Sequence, residues 1–147
     1  MLLALLLFAL NLIGGLAVLK WGEINERAII GVMAVYIFAV PLLEPFEIES
    51  IRIGVFGAEV ILFACLFVAT GRVARWWLIM AAGAQLIAVI SHLVPLFVTD
   101  LYIWTSVSVR RFAGCVISLS LLLGAWETWA RRVVALGGAP NGKTVKI

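Results

Sequence analysis

The sequence has little charge: only 13% of its 147 residues are Asp, Glu, Lys or Arg, whereas about a quarter of the residues in a soluble domain are charged. Hydrophobic residues make up 65% of the chain, against about 45–50% in soluble domains. The charged residues are also clustered, so that long uncharged runs separate short polar stretches. These features exclude an ordinary soluble domain and predict an all-α, polytopic membrane protein.

Potential metal ligands are scarce, because the chain has two cysteines and one histidine. On the spans predicted below, Cys65 and Cys115 differ in depth by about 15 Å at roughly 1.5 Å per helical residue, which is too far for a disulfide. One chain therefore has no ligand set for zinc or an iron–sulfur cluster, and no metal site is predicted.

Motifs of enzymes and of nucleic-acid binding are also lacking. The sequence contains no nucleophile elbow, phosphate loop, metalloprotease motif, carboxylate dyad or internal repeat. Ser91 precedes His92 directly, but neighbouring residues of a helix do not face each other, so they are no catalytic pair. The net charge is only +3, without a basic stripe interleaved with aromatics. We therefore predict neither catalysis nor a nucleic-acid partner.

Five apolar runs approach or reach the roughly 17–25 residues that cross a hydrocarbon core of about 30 Å. The second run is the shortest and is closed by Pro41, although it can lengthen to include Ile24 and Asn25. We predict one transmembrane domain over residues 1–132 and a flexible cytoplasmic tail over 133–147. The five predicted spans are at about 2–19, 28–43, 53–70, 76–98 and 112–130.

The first run resembles a signal peptide in one respect, since Gly15 and Ala17 mimic a cleavage site. A signal peptide begins with a positively charged region. Here the first basic residue, Lys20, follows the apolar run. We therefore predict that the run is a retained span, with removal as the alternative.

Lysine and arginine are distributed unequally between the two sides that five spans create. Three of them, Arg52, Arg110 and Arg111, fall on one side, the last two in a predicted loop that also holds Tyr102 and Trp104. Cytoplasmic loops carry the excess of basic residues, which predicts a cytoplasmic C-terminus and an outward N-terminus. The eight basic residues of the other side are Lys20, Arg27, Arg72, Arg75, Arg131, Arg132, Lys143 and Lys146.

Glu59 lies inside the third predicted span. An acid at the centre of a span costs about 2.5–3.5 kcal/mol, and each Leu, Ile, Phe or Val returns about 0.3–0.6 kcal/mol. Ten such residues between Ile53 and Val68 return about 3–6 kcal/mol in total. The span still inserts, and we expect Glu59 to face protein, protonated or paired with a group on another helix.

Predicted depth suggests partners for Glu59. His92 lies about as far below the same predicted side, and two other polar residues, Tyr36 and Ser118, come out at similar depth. The hypothesis is a hydrogen-bonded cluster of Tyr36, Glu59, His92 and Ser118 in which Glu59 and His92 titrate. The favoured alternative is that these groups hold helices together without chemistry.

One face of the fourth span carries small and polar residues at alternating steps of four and three. Such a stripe marks the side of a membrane helix that packs closely against other helices. Pro95 cannot donate a hydrogen bond to the carbonyl of Ser91, so we expect a kink there. The stripe consists of Ala81, Gln85, Ala88, His92 and Pro95.

The spacing Ala88-x-x-x-His92 resembles the ligand pattern of bacterial light-harvesting polypeptides. That resemblance implies a haem or bacteriochlorophyll bound through His92. The chain departs from that family in having five predicted spans and Pro95 in place of the downstream aromatic pattern, and no cofactor is the favoured prediction.

The loop "LLEPFEIESIR" adds three acids, Glu44, Glu47 and Glu49, on the predicted outer side. Salt bridges to Arg110 and Arg111 would join the two outer loops, although exposed pairs contribute only about 0–1 kcal/mol. An acidic rim that attracts cations is the alternative. On the other side, Glu127 and Arg131 have the i,i+4 spacing of an ordinary helix-end pair.

The last two spans resemble the terminal hairpin of small uncharacterised bacterial membrane proteins. The resemblance covers less than half of the chain and implies only a helical fold and a bacterial inner (plasma) membrane location. It is carried by Arg75-Trp76-Trp77, Gln85, His92 and the closing Gly124–Trp126.

Three functions follow as hypotheses. The first is a non-catalytic accessory or structural subunit, whose partners are the lipid bilayer and either other membrane subunits or copies of itself. The second is a small proton-linked channel or transporter that uses Glu59 and His92. The third is a haem or pigment carrier through His92. Short loops, abundant small residues and the lack of catalytic motifs favour the first.

Overall fold

The chain folds into five α-helices in the computed structural model, which describes residues 2–46, 52–97 and 103–137. The predicted all-α architecture is confirmed. The helices are α1 Leu2–Trp21, α2 Ile24–Leu43, α3 Ile53–Arg72, α4 Trp76–Phe97 and α5 Ile103–Gly137.

Four segments of these helices are long and apolar enough to cross a membrane: Ile24–Leu43, Ile53–Arg72, Trp76–Val94 and Val107–Ala135. In α1, the part with described side chains, Leu5–Trp21, is a shorter apolar helix. Backbone groups in hydrocarbon must be satisfied internally, which a helix achieves within its own segment. Four candidate spans in one chain are the pattern of a multi-pass helical membrane protein.

Helix α4 lies at the centre of the bundle. It packs between α3 and α5, while α1 packs on α5 and α2, and α2 packs mainly on α3. In the candidate span of α4, 56% of the residues are buried inside the bundle, whereas in that of α2 only 17% are. The core surrounds α4, where Trp77, Leu78 and Ala81 are almost fully buried. Helix α2 is thus the peripheral element.

Helix α2 begins four residues before the predicted second span and ends, like that span, at residue 43. It begins at Ile24, so it takes in Ile24 and Asn25 as the sequence allowed. Pro41 does not close it, because the helix continues to Leu43. The backbone N–H of Glu44 still bonds to the carbonyl of Val40, since proline removes only its own N–H from the ladder.

Helix α5 is much longer than the predicted fifth span. Its 35 residues correspond to about 52 Å at roughly 1.5 Å per residue, more than the ~30 Å hydrocarbon core. The predicted loop before the span is wrong at Trp104, Arg110 and Arg111, which are helical. No proline interrupts this stretch. Because each further helical residue adds a backbone hydrogen bond, the helix continues through the two charged arginines.

The C-terminal part of the chain stays helical beyond the predicted fifth span. Residues 133–137, placed in the predicted tail, belong to α5. Residues 138–147 and Tyr102, like Glu47 and Glu49, lie outside the described residues.

Helix α4 is continuous through Pro95, and Cys65 and Cys115 are both free thiols.

Gly124 of α5 packs directly against the indole ring of Trp77 on α4. A Cβ at this position would lie 2.8 Å from Cδ2 of Trp77, and the Trp77 side chain is 1% exposed and has little room to move. Glycine is therefore required here by the packing of the indole ring rather than by backbone conformation.

We predict that Gly124→Ala destabilises the protein by about 1–3 kcal/mol, the usual range for forcing extra volume into a packed core. Gly114→Ala on the same helix is the matched control, because a Cβ there meets no atom within 4 Å. The free energy of unfolding of both variants is measured in mild detergent, with circular dichroism as the signal for unfolding. Equal stability of the two would contradict the close packing of Gly124 on Trp77.

Candidate functional site

Two polar clusters link the helices of this bundle. The first, called the Glu59 cluster, consists of Tyr36, Glu59, Gln85 and His92 on α2, α3 and α4. The second, called the Glu26 cluster, lies at the end of the bundle where α1 meets α2 and α3 meets α4. It consists of Glu23, Glu26, Arg75, Glu127 and Arg131.

The centre of the first cluster is a buried acid–base pair. Nε2 of His92 lies 3.1 Å from Oε2 of Glu59, and both residues are 6% exposed. The two atoms are at ion-pair distance, but neither has a partner with hydrogen-bond alignment. The ring of His92 also packs against Phe56, with centroids 5.8 Å apart and a tilt of 59°.

Two further groups bond to Glu59. The hydroxyl of Tyr36 donates to Oε1 of Glu59 at 3.4 Å, and Nε2 of Gln85 donates to its backbone carbonyl, also at 3.4 Å. Both bonds are long for their type, so Tyr36 holds the carboxylate weakly and Gln85 holds the backbone carbonyl weakly. Together they connect α2 and α4 to α3 at one level of the bundle.

Ser118, the fourth residue of the predicted cluster, bonds elsewhere. Its hydroxyl is fully buried and donates to the carbonyl of Gly114, one turn earlier in α5, at 2.9 Å. The structure thus brings Tyr36, Glu59 and His92 together, with Gln85 added, and engages Ser118 within its own helix. Similar depth along the membrane normal does not make two side chains face each other, because helix rotation is independent of depth.

The predicted stripe of α4 lies on the buried face of that helix wherever its side chains are described. Ala81, Gln85, Ala88 and His92 are all under 8% exposed. The side chain of Pro95 lies outside the described set. Because α4 packs between two helices, this stripe positions Gln85 and His92 toward α3.

The second cluster is centred on Glu26, whose side chain is completely buried. Its Oε1 accepts hydrogen bonds from Nε of Arg75 at 2.9 Å and from Nη2 of Arg131 at 2.7 Å. Its Oε2 accepts the backbone N–H of Glu23 at 2.8 Å, which caps the start of α2. One carboxylate therefore joins α2, the α3–α4 connection and α5.

Two more glutamates surround the same arginines. Oε1 of Glu23 lies 3.1 Å from both Arg75 and Arg131. Glu127 lies 3.5 Å from Arg75 and 3.9 Å from its i,i+4 partner Arg131. The cluster holds three carboxylates and two guanidiniums. Hydrogen bonds from neighbouring arginines to backbone carbonyls close the same end: Arg27 to Gly22 and Arg132 to Trp21.

Sequence reasoning missed the Glu26 cluster and treated Glu127 and Arg131 as an isolated pair. A local signal was present, since Glu23 and Glu26 precede an apolar run with the spacing of a capping box. A second signal was that Glu23, Glu26 and Glu127 are the acids of the arginine-rich side. Neither signal specifies that Arg75 and Arg131 share one carboxylate, because they are 56 residues apart in sequence.

The Glu59 cluster could hold or move a proton, since a carboxylate and an imidazole share one buried contact. A haem or bacteriochlorophyll on His92 would require a free ring nitrogen, and Nε2 lies against Glu59 instead. Among the described residues, no three His, Cys, Asp or Glu side chains gather as metal ligands. The Glu26 cluster, with its carboxylates already paired to arginines, has the character of a structural clamp.

Of the three acids in the predicted outer loop, Glu44 is the one among the described residues, and it forms a salt bridge. Glu44 pairs with Arg52 across the α2–α3 connection at 3.3 Å, and both side chains are about half exposed. Arg52 therefore pairs away from Glu59, the acid seven residues further along its helix.

The comparisons with known proteins provide no relative. No family model matches the chain, and neither a curated protein nor a solved structure is significantly similar to it. Function must therefore be argued from the two clusters and the surfaces of the bundle.

The Glu26 cluster yields a stability prediction. We expect Glu26→Gln to destabilise the protein by about 3–5 kcal/mol, because removing one partner leaves buried charges uncompensated. The matched control is Glu44→Gln, which breaks an exposed pair and should cost about 0–1 kcal/mol. Denaturant titration in detergent measures both. A loss for Glu26→Gln no larger than that of the control would show that the clamp does not hold the bundle.

Proposed function

We propose that this chain is a non-catalytic integral membrane subunit that assembles with other membrane subunits or with copies of itself. It crosses the inner membrane five times, with its N-terminus outside and its C-terminus in the cytoplasm. The observation that carries the proposal is a groove of small residues along the peripheral helix pair α2–α3.

This groove, called the assembly groove, is a cavity of about 720 Å³ with an almost wholly apolar lining. Small residues line both walls: Gly31 and Ala39 on α2, and Gly57 and Ala58 on α3. A Cβ placed at Gly31 or Gly57 would meet no atom within 4 Å. Membrane helices associate where small residues let their backbones approach closely, so the groove accommodates a helix from a neighbouring subunit.

The position of α2 also supports assembly. Only 17% of its candidate span is buried within the chain, and large side chains such as Val35 and Phe38 are exposed. Packing within one chain thus leaves most of this helix free to contact lipid or a partner.

The polar residues support a non-catalytic role, because the bundle uses them to hold its own helices. Glu26 and Glu59 each contact groups on two other elements. Three buried hydroxyls, those of Ser118, Ser120 and Thr128, donate to carbonyls within α5. Interhelical contacts such as those of Glu26 and Glu59 are a usual means of stabilising membrane helix bundles, and the three hydroxyls are satisfied within their own helix.

The orientation rests on the eight-to-three distribution of basic residues. The contacts of Arg75, Arg131 and Arg132 gather at the end of the bundle where α1 meets α2. A basic end of this kind is expected to face the cytoplasm.

Assembly can be tested by filling the groove. We expect Gly57→Leu and Gly31→Leu to weaken association at least tenfold, because the added side chains occupy the space of the partner helix. Gly83→Leu is the matched control, since Gly83 is exposed on α4 and also meets nothing within 4 Å. The measurement is light scattering after size exclusion in mild detergent, with mass spectrometry of co-purified chains.

A wild-type protein that is monomeric and co-purifies with no other chain would contradict the assembly proposal. The same conclusion would follow if Gly57→Leu and Gly83→Leu associated equally well. A mass equal to a multiple of the chain identifies self-assembly, whereas a second chain identifies a heteromeric complex.

The second candidate function is proton-linked transport, which the contact between Glu59 and His92 favours. A carboxylate and an imidazole 3.1 Å apart can exchange a proton, and intramembrane ionisable residues commonly mark proton pathways. The two cavities along α2–α3 do not include either residue in their linings, so this function ranks second.

Proton flux into liposomes, measured with a pH-sensitive dye at two pH values, tests this candidate. Transport through the pair predicts that Glu59→Gln lowers the flux at least tenfold, because glutamine cannot release a proton. Ser118→Ala serves as the control, since Ser118 bonds within its own helix. Equal flux for the wild type and Glu59→Gln would remove the pair from any transport pathway.

A further inference from the structure

A second cavity lies between α2 and α3, at the end of the bundle that carries the Glu26 cluster. Its volume is about 420 Å³, and its walls are mainly apolar, including Ala28 and Ile29 on α2 and Ala64 and Val68 on α3. Its mouth is polar, because Asn25 at the start of α2 and Arg72 at the end of α3 belong to its lining. A charged mouth on an apolar cavity is the shape of a site for an amphipathic molecule.

Arg72 differs from the arginines that hold the bundle together. Arg52, Arg75 and Arg131 all pair with glutamates, and Arg27 and Arg132 bond to backbone carbonyls. Arg72 is exposed and pairs with no carboxylate among the described residues. Its guanidinium is thus available to an anion from outside the chain.

We propose that this cavity binds an anionic phospholipid, with the phosphate group at Arg72 and Asn25 and an acyl chain along the apolar walls. A guanidinium binds phosphate through two parallel hydrogen bonds, and an exposed amide can add a third donor. Basic pockets between membrane helices on the cytoplasmic side are known to bind anionic lipid head groups. The proposal rests on the orientation given above, which places Arg72 at the cytoplasmic surface.

The dimensions of the cavity suit one lipid chain in one leaflet. From Asn25 to Val32, α2 rises about 10 Å at roughly 1.5 Å per residue, within the ~15 Å that one leaflet contributes to a ~30 Å core. Ala28 and Val32 line both this cavity and the assembly groove. The bound chain therefore lies beside the surface that a partner helix would occupy.

Native mass spectrometry of the full chain in mild detergent, with added phosphatidylglycerol or phosphatidylcholine, tests the head-group contact. We expect the wild type to bind one phosphatidylglycerol and Arg72→Gln to bind it about tenfold more weakly, whereas phosphatidylcholine binds weakly to both. Arg111→Gln, which removes an exposed arginine of α5, is the matched control and should bind like the wild type. Equal phosphatidylglycerol binding by Arg72→Gln and Arg111→Gln, or equal binding of the two lipids by the wild type, would overturn the proposal.

A second pair of variants tests the acyl-chain cavity. Ala64→Phe fills the wall of the cavity from an exposed position, and Ala9→Phe adds the same ring to an exposed position on α1. We expect only Ala64→Phe to reduce phosphatidylglycerol binding, again about tenfold. Binding that survives in Ala64→Phe would contradict an acyl chain in this cavity, and circular dichroism verifies that both variants are folded.

The outcome can be separated from that of the assembly proposal. Gly57 lines the assembly groove but not the lipid cavity, so Gly57→Leu should lose association and keep its lipid. Arg72→Gln should show the reverse. Lipid binding by a monomeric wild type would support this site while contradicting assembly, and an assembly that binds no phosphatidylglycerol would do the opposite.

Discussion

The fully buried carboxylate of Glu26 is the interaction on which the arrangement of the helices depends. It caps the start of α2 and accepts hydrogen bonds from Arg75 and Arg131, so the α1–α2 turn, the α3–α4 connection and α5 meet at one point. In a bilayer, lipid tails are as apolar as the side chains, and the hydrophobic effect does not tell one helix contact from another. A buried ion cluster does distinguish between helix arrangements, because an arrangement that separates its members leaves their charges unpaired.

The Glu59 cluster extends this logic along the bundle. Glu59 on α3 contacts His92 on α4 and Tyr36 on α2, so α2 is attached to the core at its start by Glu26 and again further along by Tyr36. Between and beside these contacts, the α2–α3 pair keeps an open face of small residues. A peripheral helix pair that is fixed to the core but open on its outer side is suited to bind a partner helix, with a lipid head group held at Arg72.

Much of the fold could be predicted from composition and hydropathy, whereas the sites could be predicted only in part. Long apolar runs must be helical in a bilayer, and five helices form close to where the runs lie. The predicted depths along the helices placed Glu59, His92 and Tyr36 in one candidate cluster. The same reasoning failed for Ser118, which bonds to Gly114 within α5, because depth does not determine which face of a helix turns inward. The start of the fifth helix was also misjudged, because α5 begins at Ile103, before Arg110 and Arg111.

The sequence by itself determined that this is an all-α chain with several apolar segments long enough to enter a membrane, since that follows from side-chain transfer energies added along each run. It also determined which few polar residues must find partners within those segments. Only the tertiary structure decided which residues are the partners. Arg75 and Arg131 share Glu26. Gln85 bonds to the Glu59 backbone, and Gly124 makes room for the ring of Trp77. The physical reason is that partner choice depends on the rotation and neighbours of each helix, and these are set by the simultaneous packing of all five.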